Sequence, residues 1–387
     1  MVDFATVGRR LRTALEVNRV DLATVARDAR VPQDVLARLE AGEAAPISTA
    51  ALARVAHRLK LSPTALWSPA EEDFEVSLQF RHATIPDFFH ADEVVAREAL
   101  GVARDVEGLE DLLGRPAPLK RADWFRPVAV GHDPTAEGYR LARRLREILH
   151  QTSWLTSLTA PLTDPLEVIV EEAFGVPVLE KPLQTSSVLA VTVKDRSRGL
   201  AAILLNTASE WGARPLRRRV DLAHEIAHLL YDEPRADIGL WIDEIDDQDR
   251  EAPKQQGDPH ERRARAFAAE LLLPRLGLHE LFGRPQESVA RSLTPAIELV
   301  QRARQHFKTT IELTSYHLEN NGYIPAYLHD DIVKATPPFP METPAARESL
   351  LPRRVREALS AGLISSMRAR ELLGLCAWDD LPWSASQ

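Results

Sequence analysis

Apolar residues recur at helical spacing along most of the chain and alternate as in strands over one short stretch. In residues 1–70, short amphipathic stretches separated by turn-forming residues predict five short helices. Gly42 stands where the third of these should end, and Ser48 and Ser62 stand where N-terminal caps of the next two are expected. The head of the chain is therefore predicted to be a small all-helical bundle.

The pattern is weaker over residues 71–135, where it predicts one long packing or dimer helix after about Ala91. From Asp133 it strengthens, and "PTAEGYRLARRLREILHQ" predicts an amphipathic helix. A helix and then a strand are predicted in "PLEVIVEEAFGVPVLE". The runs "SVLAVTV" and "GLAAILLN", on either side of "KDRSR", predict a β-hairpin.

A helix follows in "DLAHEIAHLLYDE", then an acidic loop from about Asp232 to Pro259, and then another helix from near His260. Residues 275–330 are predicted to be mainly helical, and "ATPPFPMETP" breaks the pattern before a short helical module. The prediction is an α+β chain, mostly helical, with one small sheet. Its four regions are residues 1–70, 71–135, 136–330 and 331–387.

Composition narrows the class of protein. The chain has 387 residues, of which 44% are hydrophobic, and this is enough for two or three domains with sizeable cores. It has no run of 18 apolar residues and no apolar leader, so we expect neither a membrane span nor a signal peptide. With Cys376 as the single cysteine, no intrachain disulfide can form, and a cytoplasmic location is expected.

Charge is distributed unevenly along the chain. The net charge of −9 argues against a protein that coats nucleic acid along its whole surface. Residues 1–70, however, carry ten basic and seven acidic side chains. The slightly basic head and acidic body suggest two separate roles, although an excess of this size is also compatible with ordinary scatter.

The stretch from Asp221 to Glu233 carries the most specific chemistry. His224 and His228 are four residues apart, so a helix presents both imidazoles on one face to a single metal ion. Glu225 lies about 100° further round the helix, where it can accept a proton from a metal-activated water. The alternative is an amphipathic helix that carries two histidines by chance.

A zinc site of this kind needs a third protein ligand. Glu261 is the best candidate, because Ala264 and Ala268 share its helical face and would let two helices approach closely. His260 and Glu270 are rival candidates. A His₂Glu set suits Zn²⁺ best, and Mn²⁺ is possible.

These two segments resemble the ImmA/IrrE family of bacterial metallopeptidases, over about residues 136–330. Two residues depart from the family pattern: Ala227 replaces a glycine, and Arg265 replaces an Asn or Asp that commonly supports the metal site. The matching positions are Asn206, Arg219, Ala223, His224, Glu225, His228, Glu261, Ala264, Phe267, Ala268, Ala269, Leu271, Leu272 and Pro274.

The resemblance implies a zincin-like fold of the gluzincin type and a metallo-endopeptidase that cleaves one bond in a partner repressor during a stress, phage or toxin–antitoxin response. His224, His228 and Glu261 would bind the metal, and Glu225 would be the general base. An extended substrate could pair with "GLAAILLN" or "SVLAVTV". Tyr316 or His317 could stabilise the transition state, although ordinary packing is the more economical interpretation of both.

Residues 4–68 resemble the XRE (Cro/C1-like) helix-turn-helix domain, through "GRRLRTAL", "VARDARVPQDVLARLEAG" and "LARVAHRLKLSPTALW". The resemblance implies that a helix from about Pro32 to Ala41 enters the major groove of double-stranded operator DNA. Asp21, Asp34 and Glu40 bring negative charge to this region, which suggests a weak binder that acts as a homodimer, or else a protein-docking module. The expected DNA contacts are Gln33, Asp34, Arg38, Arg9, Arg10 and Arg12.

Two hypotheses follow from these patterns. The first is a cytoplasmic, DNA-associated zinc metallopeptidase that regulates transcription by cleaving a partner protein. The second is a DNA-binding repressor or antitoxin in which the peptidase-like domain has become a non-proteolytic sensor or a platform for a partner such as a small toxin. Arg265 is the main reason to keep the second hypothesis.

Overall fold

The computed structural model describes most of the chain, and every structural statement below concerns the residues that it describes. These are residues 3–18, 20–59, 66–67, 90–115, 127–195, 199–209, 214–233, 238–244, 258–285, 289–336, 347–376 and 378–383. The contacts divide the chain into two compact units. One holds Met1–Arg97 with two short segments, Asp195–Gly199 and Pro234–Leu240, and the other holds the remainder.

Four helices form the core of the first unit: α1 (Phe4–Asn18), α2 (Leu22–Ala29), α3 (Gln33–Glu40) and α4 (Thr49–Arg58). They enclose an apolar cluster to which each contributes. Gly8 allows α1 and α3 to approach closely, since a Cβ at that position would lie 2.4 Å from the carbonyl oxygen of Leu39. Ser48 caps α4, with its hydroxyl accepting from the amide of Ala51. The predicted fifth helix, with Ser62, lies outside the described residues.

The second unit combines helices with a small sheet. Its helices are α5 (His90–Leu112), whose first turns belong to the first unit, α6 (Pro134–Gln151), α7 (Leu166–Phe174), α8 (Pro215–Tyr231), α9 (Pro259–Leu272), α10 (Arg275–Phe282), α11 (Leu293–Phe307), α12 (Ile311–Asn320), α13 (His329–Ala335), α14 (Leu350–Ser360) and α15 (Ser366–Leu372). A 3-10 turn, Ala326–Leu328, precedes α13. Helices α6, α8 and α9 contribute to one large core together with the sheet.

The sheet has four strands: β1 (Val178–Lys181), β2 (Val188–Asp195), β3 (Leu200–Asn206) and β4 (Ile238–Glu244). Their order is β1-β3-β2-β4, and β1 runs parallel to β3 with Val178 opposite Ile203. The two hairpin strands predicted from the sequence are therefore neighbours. Both lie inside the sheet, so the expectation that one of them pairs with a substrate is corrected: the outer strands are β1 and β4.

One element was missed from the sequence. The acidic stretch after Asp232 was predicted to be a loop as far as Pro259, whereas Ile238–Glu244 forms β4. The stretch "IGLWIDE" has the β-branched and aromatic residues typical of a strand, but the many acidic residues around it hid this signal. None of the described helices is both long enough and apolar enough to cross a membrane.

Candidate metal centre

Helix α8 positions three of the predicted site residues. Pro215 at its first turn suits a helix start, because proline has no N–H to leave unsatisfied there. From Asp221 to Tyr231 every residue is buried, so this part of α8 is enclosed on all sides. His224, Glu225 and His228 are therefore held in fixed places by packing, as a metal site requires.

The side chains of His224, His228 and Glu261 converge. The two imidazole Nε2 atoms are 2.9 Å apart. One carboxylate oxygen of Glu261 lies 3.1 Å from Nε2 of His224, and the other lies 3.3 Å from Nε2 of His228. Among the described residues these three form the one group of potential ligands whose donor atoms lie within 4.8 Å of one another.

The donor set fits a tetrahedral metal ion. Zinc–nitrogen and zinc–oxygen distances of about 2.0–2.2 Å imply ligand atoms roughly 3.3–3.5 Å apart. The observed separations of 2.9–3.3 Å are close to that edge length. Two neutral imidazoles and a carboxylate would leave one position of a tetrahedron for water, which is the arrangement of catalytic zinc sites.

The electrostatics of the cluster also favour a cation at its centre. Burial alone would lower the pKa of His228, but the carboxylates of Asp232 and Glu261 outweigh it and raise the pKa to about 10. Burial would raise the pKa of Glu261, yet the charge on His224 and the hydrogen bonds to both histidines hold that pKa far below its usual range. The acidic groups thus stabilise positive charge at the point where the donor atoms meet.

Close packing of α9 brings Glu261 to α8. Ala264 and Ala268 are fully buried, as expected for a face on which two helices approach closely. On another side, α9 meets α6 at Gly138, where a Cβ would lie 2.3 Å from the carbonyl oxygen of Arg263. The position of the Glu261 carboxylate therefore depends on small residues at both helix contacts.

The two rival ligands lie outside the group of three. His260 donates from Nδ1 to the carboxylate of Asp232 at 2.6 Å. Glu270 is buried and lies 3.6 Å from Nε of Arg143 and 3.5 Å from Nε2 of His317. Both side chains have other partners, and Glu261 alone joins the two histidines.

Asp232 is the main feature that the sequence interpretation missed. Its buried carboxylate accepts a 2.6 Å hydrogen bond from Nδ1 of His228, the ring atom opposite the ligand nitrogen. It also accepts from His260 and, through a very short contact, from Arg263. Burial would raise the pKa of Asp232, but these partners hold it well below its usual range. The sequence did contain a signal for this contact, because an acidic residue four positions after His228 lies on the same side of the helix.

Lys194 closes this side of the site. Its ammonium donates to the carbonyl oxygen of Asp232 at 2.6 Å, at the C-terminal end of α8, where a positive charge is favourable. It also lies 5.2 Å from the ring of Trp241 in β4, and that ring stacks on His228 with a centroid separation of 6.2 Å. Burial lowers the pKa of Lys194 to about 8.

Glu225, the predicted base, is completely buried and meets the sheet. The hydroxyl of Thr192, in β2, donates to its Oε2 through a very short contact. The same hydroxyl lies 3.4 Å from the backbone carbonyl oxygen of Glu225. The strand therefore contacts both the main chain and the carboxylate of this residue.

Several other predicted positions have structural partners. Arg219 donates to the carbonyl oxygen of Leu162. Asn206 accepts from the amide of Leu183 and donates to the carbonyl oxygen of Val188, so it holds the connection before β2. Arg265, which departs from the family pattern, is exposed. Support for His228 comes from Asp232 instead.

Tyr316 and His317 both lie on α12. His317 is buried beside Glu270, with its ring edge against Tyr139 at a centroid distance of 5.4 Å. Tyr316 is 38% exposed and stacks on His329. These surroundings favour packing roles, and a part in transition-state stabilisation stays a prediction for both.

The side chains that were predicted to contact DNA differ in their exposure to solvent. Gln33 and Asp34 are exposed in the first turn of α3. Arg38 donates to the carbonyl oxygen of Ala44 and is half exposed. Asp21 caps α2 by accepting from the amide of Thr24, which accounts for its position without reference to DNA.

The three arginines of α1 differ from one another. Arg9 and Arg12 are both exposed, and Arg12 donates to the carbonyl oxygen of Glu40. Arg10 is 1% exposed. The expectation that Arg10 reaches the DNA backbone is corrected, because a buried guanidinium is not placed to contact a phosphate.

Comparison with known proteins bears on the part of the chain that carries the metal centre. No curated protein matches the chain. Residues 171–319 match the family model Peptidase M78, described as the IrrE N-terminal-like domain. The matched range includes His224, Glu225, His228 and Glu261 and ends before the C-terminal helices. This part of the chain is thus similar to a metallopeptidase-type domain of that family.

Proposed function

We propose that the protein is a zinc-dependent metallo-endopeptidase, associated with DNA, that cleaves a regulatory partner protein such as a repressor. The observation that carries the proposal is the convergence of His224, His228 and Glu261 beside a buried Glu225. The match of residues 171–319 to a metallopeptidase family supports it. A cytoplasmic location is part of the proposal.

Each residue of the centre has a distinct role in this mechanism. His224, His228 and Glu261 would hold the ion, which when bound supplies a Lewis acid and lowers the pKa of water. Glu225 would accept the proton of the attacking water on its carboxylate and return it to the leaving amine. Asp232 holds the His228 ring in the tautomer that presents Nε2 for binding.

The substrate would bind as an extended chain along an outer strand of the sheet. We propose β4, because its Trp241 stacks on the ligand His228, whereas β2 and β3 lie inside the sheet. Main-chain hydrogen bonds to such a strand accept many sequences, so specificity would come from side-chain contacts.

The N-terminal helices would bring the enzyme to an operator or to a DNA-bound substrate. Gln33 can pair with adenine, and Arg38 and Arg9 can contact guanine or phosphate. The small positive charge of this region is consistent with weak binding that gains affinity in a homodimer. These DNA contacts rest on surface position in α1 and α3 and on the resemblance of residues 4–68.

The proposal is tested by the metal content of the purified protein and two variants. We expect about one zinc per chain in the wild type and in Glu225→Gln, and almost none in His224→Ala. The reason is that His224 is a proposed metal ligand, whereas Glu225 is not. An intact fold without metal in the wild type would refute the peptidase. It would favour the alternative, a repressor or antitoxin whose peptidase-like domain binds a toxin or another partner without cleaving it.

A further inference from the structure

Thr192 is the polar residue within the fully buried run from Val188 to Val193 of β2. β2 reads "VLAVTVKD", and Thr192 lies with apolar residues on either side and has no solvent-exposed surface. Valine has the same shape as threonine and is at least as favourable in strands. A buried hydroxyl is costly unless it is hydrogen-bonded, so this position gains from the hydroxyl only through its partner.

That partner is Glu225. The hydroxyl has a single proton, and two oxygens of Glu225 lie near it: Oε2, at very short range, and the backbone carbonyl oxygen at 3.4 Å. The proton goes to the carboxylate, because that contact is the shorter of the two. The direction of the bond is well defined, since the branched Cβ of threonine in a strand allows few rotamers.

We propose that Thr192 is the positioning residue for the general base: its hydroxyl fixes the orientation of the Glu225 carboxylate beside the metal centre. This inference rests on the proposed function. A hydrogen bond to one oxygen restricts rotation of the whole carboxylate, so it also determines where the other oxygen points. Because β2 is buried and lies between β3 and β4, the base is oriented by the sheet, while His224 and His228 are oriented by the helix.

The test uses the 387-residue chain loaded with Co²⁺, with acetohydroxamate as the probe. A hydroxamate binds a metal ion through two oxygens and gives its proton to a neighbouring carboxylate, so its affinity reports on the orientation of the base without any peptide substrate. Visible absorption of Co²⁺ measures both metal loading and hydroxamate binding. The variants are Thr192→Val, Thr192→Ser, Glu225→Gln and the double variant Thr192→Val/Glu225→Gln.

We expect Thr192→Val to bind one Co²⁺ per chain and to bind acetohydroxamate about tenfold more weakly, as the loss of a charge-assisted hydrogen bond implies. Thr192→Ser should stay within about threefold of the wild type, because it restores the hydroxyl. Glu225→Gln should weaken binding at least as much as Thr192→Val. The double variant should be no weaker than Glu225→Gln, because the two residues act through one another.

Thr314→Val is the matched control. Thr314, in α12, is equally buried, and its hydroxyl donates to the carbonyl oxygen of Thr310, the N-cap residue of that helix. Its hydroxamate affinity should equal that of the wild type. Unchanged affinity in Thr192→Val beside a weakened Glu225→Gln would overturn the positioning role. Failure of the wild type to take up Co²⁺ would overturn the proposed function itself, together with this role.

Discussion

The metal centre and a second buried ionic cluster at the C-terminal helices both lie in the described part of the second unit, and they differ in the groups that face their carboxylates. At the metal centre, Asp232 and Glu261 converge on two histidines and leave a place that favours a cation. At the C-terminal helices, Glu171 and Glu172 meet Arg353 and Arg354. The carboxylates of the second cluster are paired with guanidinium groups, whereas at the metal centre Arg263 contacts Asp232 and Glu261 meets the two imidazoles.

The second cluster joins elements that are far apart in sequence. Arg354, in α14, contacts Glu110 of α5 at 2.5 Å and Glu172 of α7 at 2.7 Å. Burial would lower the pKa of Arg354, but these carboxylates outweigh it and raise the pKa. Glu171 also accepts from Arg347 and from the amide of Leu350. Ion pairs therefore hold the C-terminal helices against α5 and α7, and a small apolar cluster that includes Leu109 of α5 adds to this contact.

The comparison shows what distinguishes a binding site from a structural ion pair. A guanidinium saturates the carboxylates around it, because it offers five donors and stays charged. Imidazoles can act as acceptors at one nitrogen, so a group of histidines and carboxylates remains able to bind a metal ion. Three substitutions test this distinction, in decreasing order of expected effect.

Asp232→Ala should have the largest effect, because it removes the common partner of His228, His260 and Arg263. Leaving the buried Arg263 without this carboxylate should cost about 3–5 kcal/mol of unfolding free energy in the metal-free protein. Loss of the support to His228 should also weaken zinc binding about 10–100-fold. Urea unfolding in the presence of EDTA and zinc competition with a chelator measure the two effects.

Glu233→Ala is the control for this substitution, since Glu233 is the exposed neighbour of Asp232. It should change the unfolding free energy by less than about 0.5 kcal/mol. If Asp232→Ala kept both stability and zinc affinity, the cluster would not be the support that its hydrogen bonds indicate.

Arg354→Ala should reduce stability and leave the metal centre intact. We expect a loss of about 3 kcal/mol, because Glu110 is left buried without its cation, while Glu172 and Glu357 are partly exposed and can regain water. Zinc content should stay at that of the wild type. Thermal unfolding and metal analysis of the same samples distinguish this cluster from the one at Asp232.

Arg356→Ala provides the matched comparison in the same helix. Arg356 is largely exposed and pairs with Glu348, so its loss should cost less than about 1 kcal/mol. An equal effect of the two substitutions would mean that the burial of Arg354 contributes nothing to the attachment of α14.

The sequence predicted the elements of the metal centre well because they obey local rules. Helical spacing located α8 and α9, Asp133 was placed at the start of α6, and the alanine face identified Glu261 as the carboxylate that meets the two histidines. These features depend on periodicity and on residue size, both of which are visible in a few consecutive residues.

The partners between distant segments could not be predicted in the same way. Thr192 lies 33 positions before Glu225, and Arg354 lies 244 positions after Glu110. No local pattern states which buried polar residue will meet which, because the pairing is decided by tertiary packing. The strand β4 and the burial of Arg10 were missed because charge in the sequence suggested a loop in the first case and an exposed side chain in the second.

Arg265→Asn should have the smallest effect, and it decides how much the departure from the family pattern matters. Arg265 is exposed on α9, while the ring of His228 is held by Asp232. Restoring the family's asparagine should therefore change zinc affinity less than about twofold and stability by less than about 0.5 kcal/mol. The same chelator competition used for Asp232→Ala measures it. A rise in zinc affinity of tenfold or more would show that Arg265 weakens metal binding despite the hydrogen bond from His228 to Asp232. That result would favour the alternative in which the domain is not proteolytic.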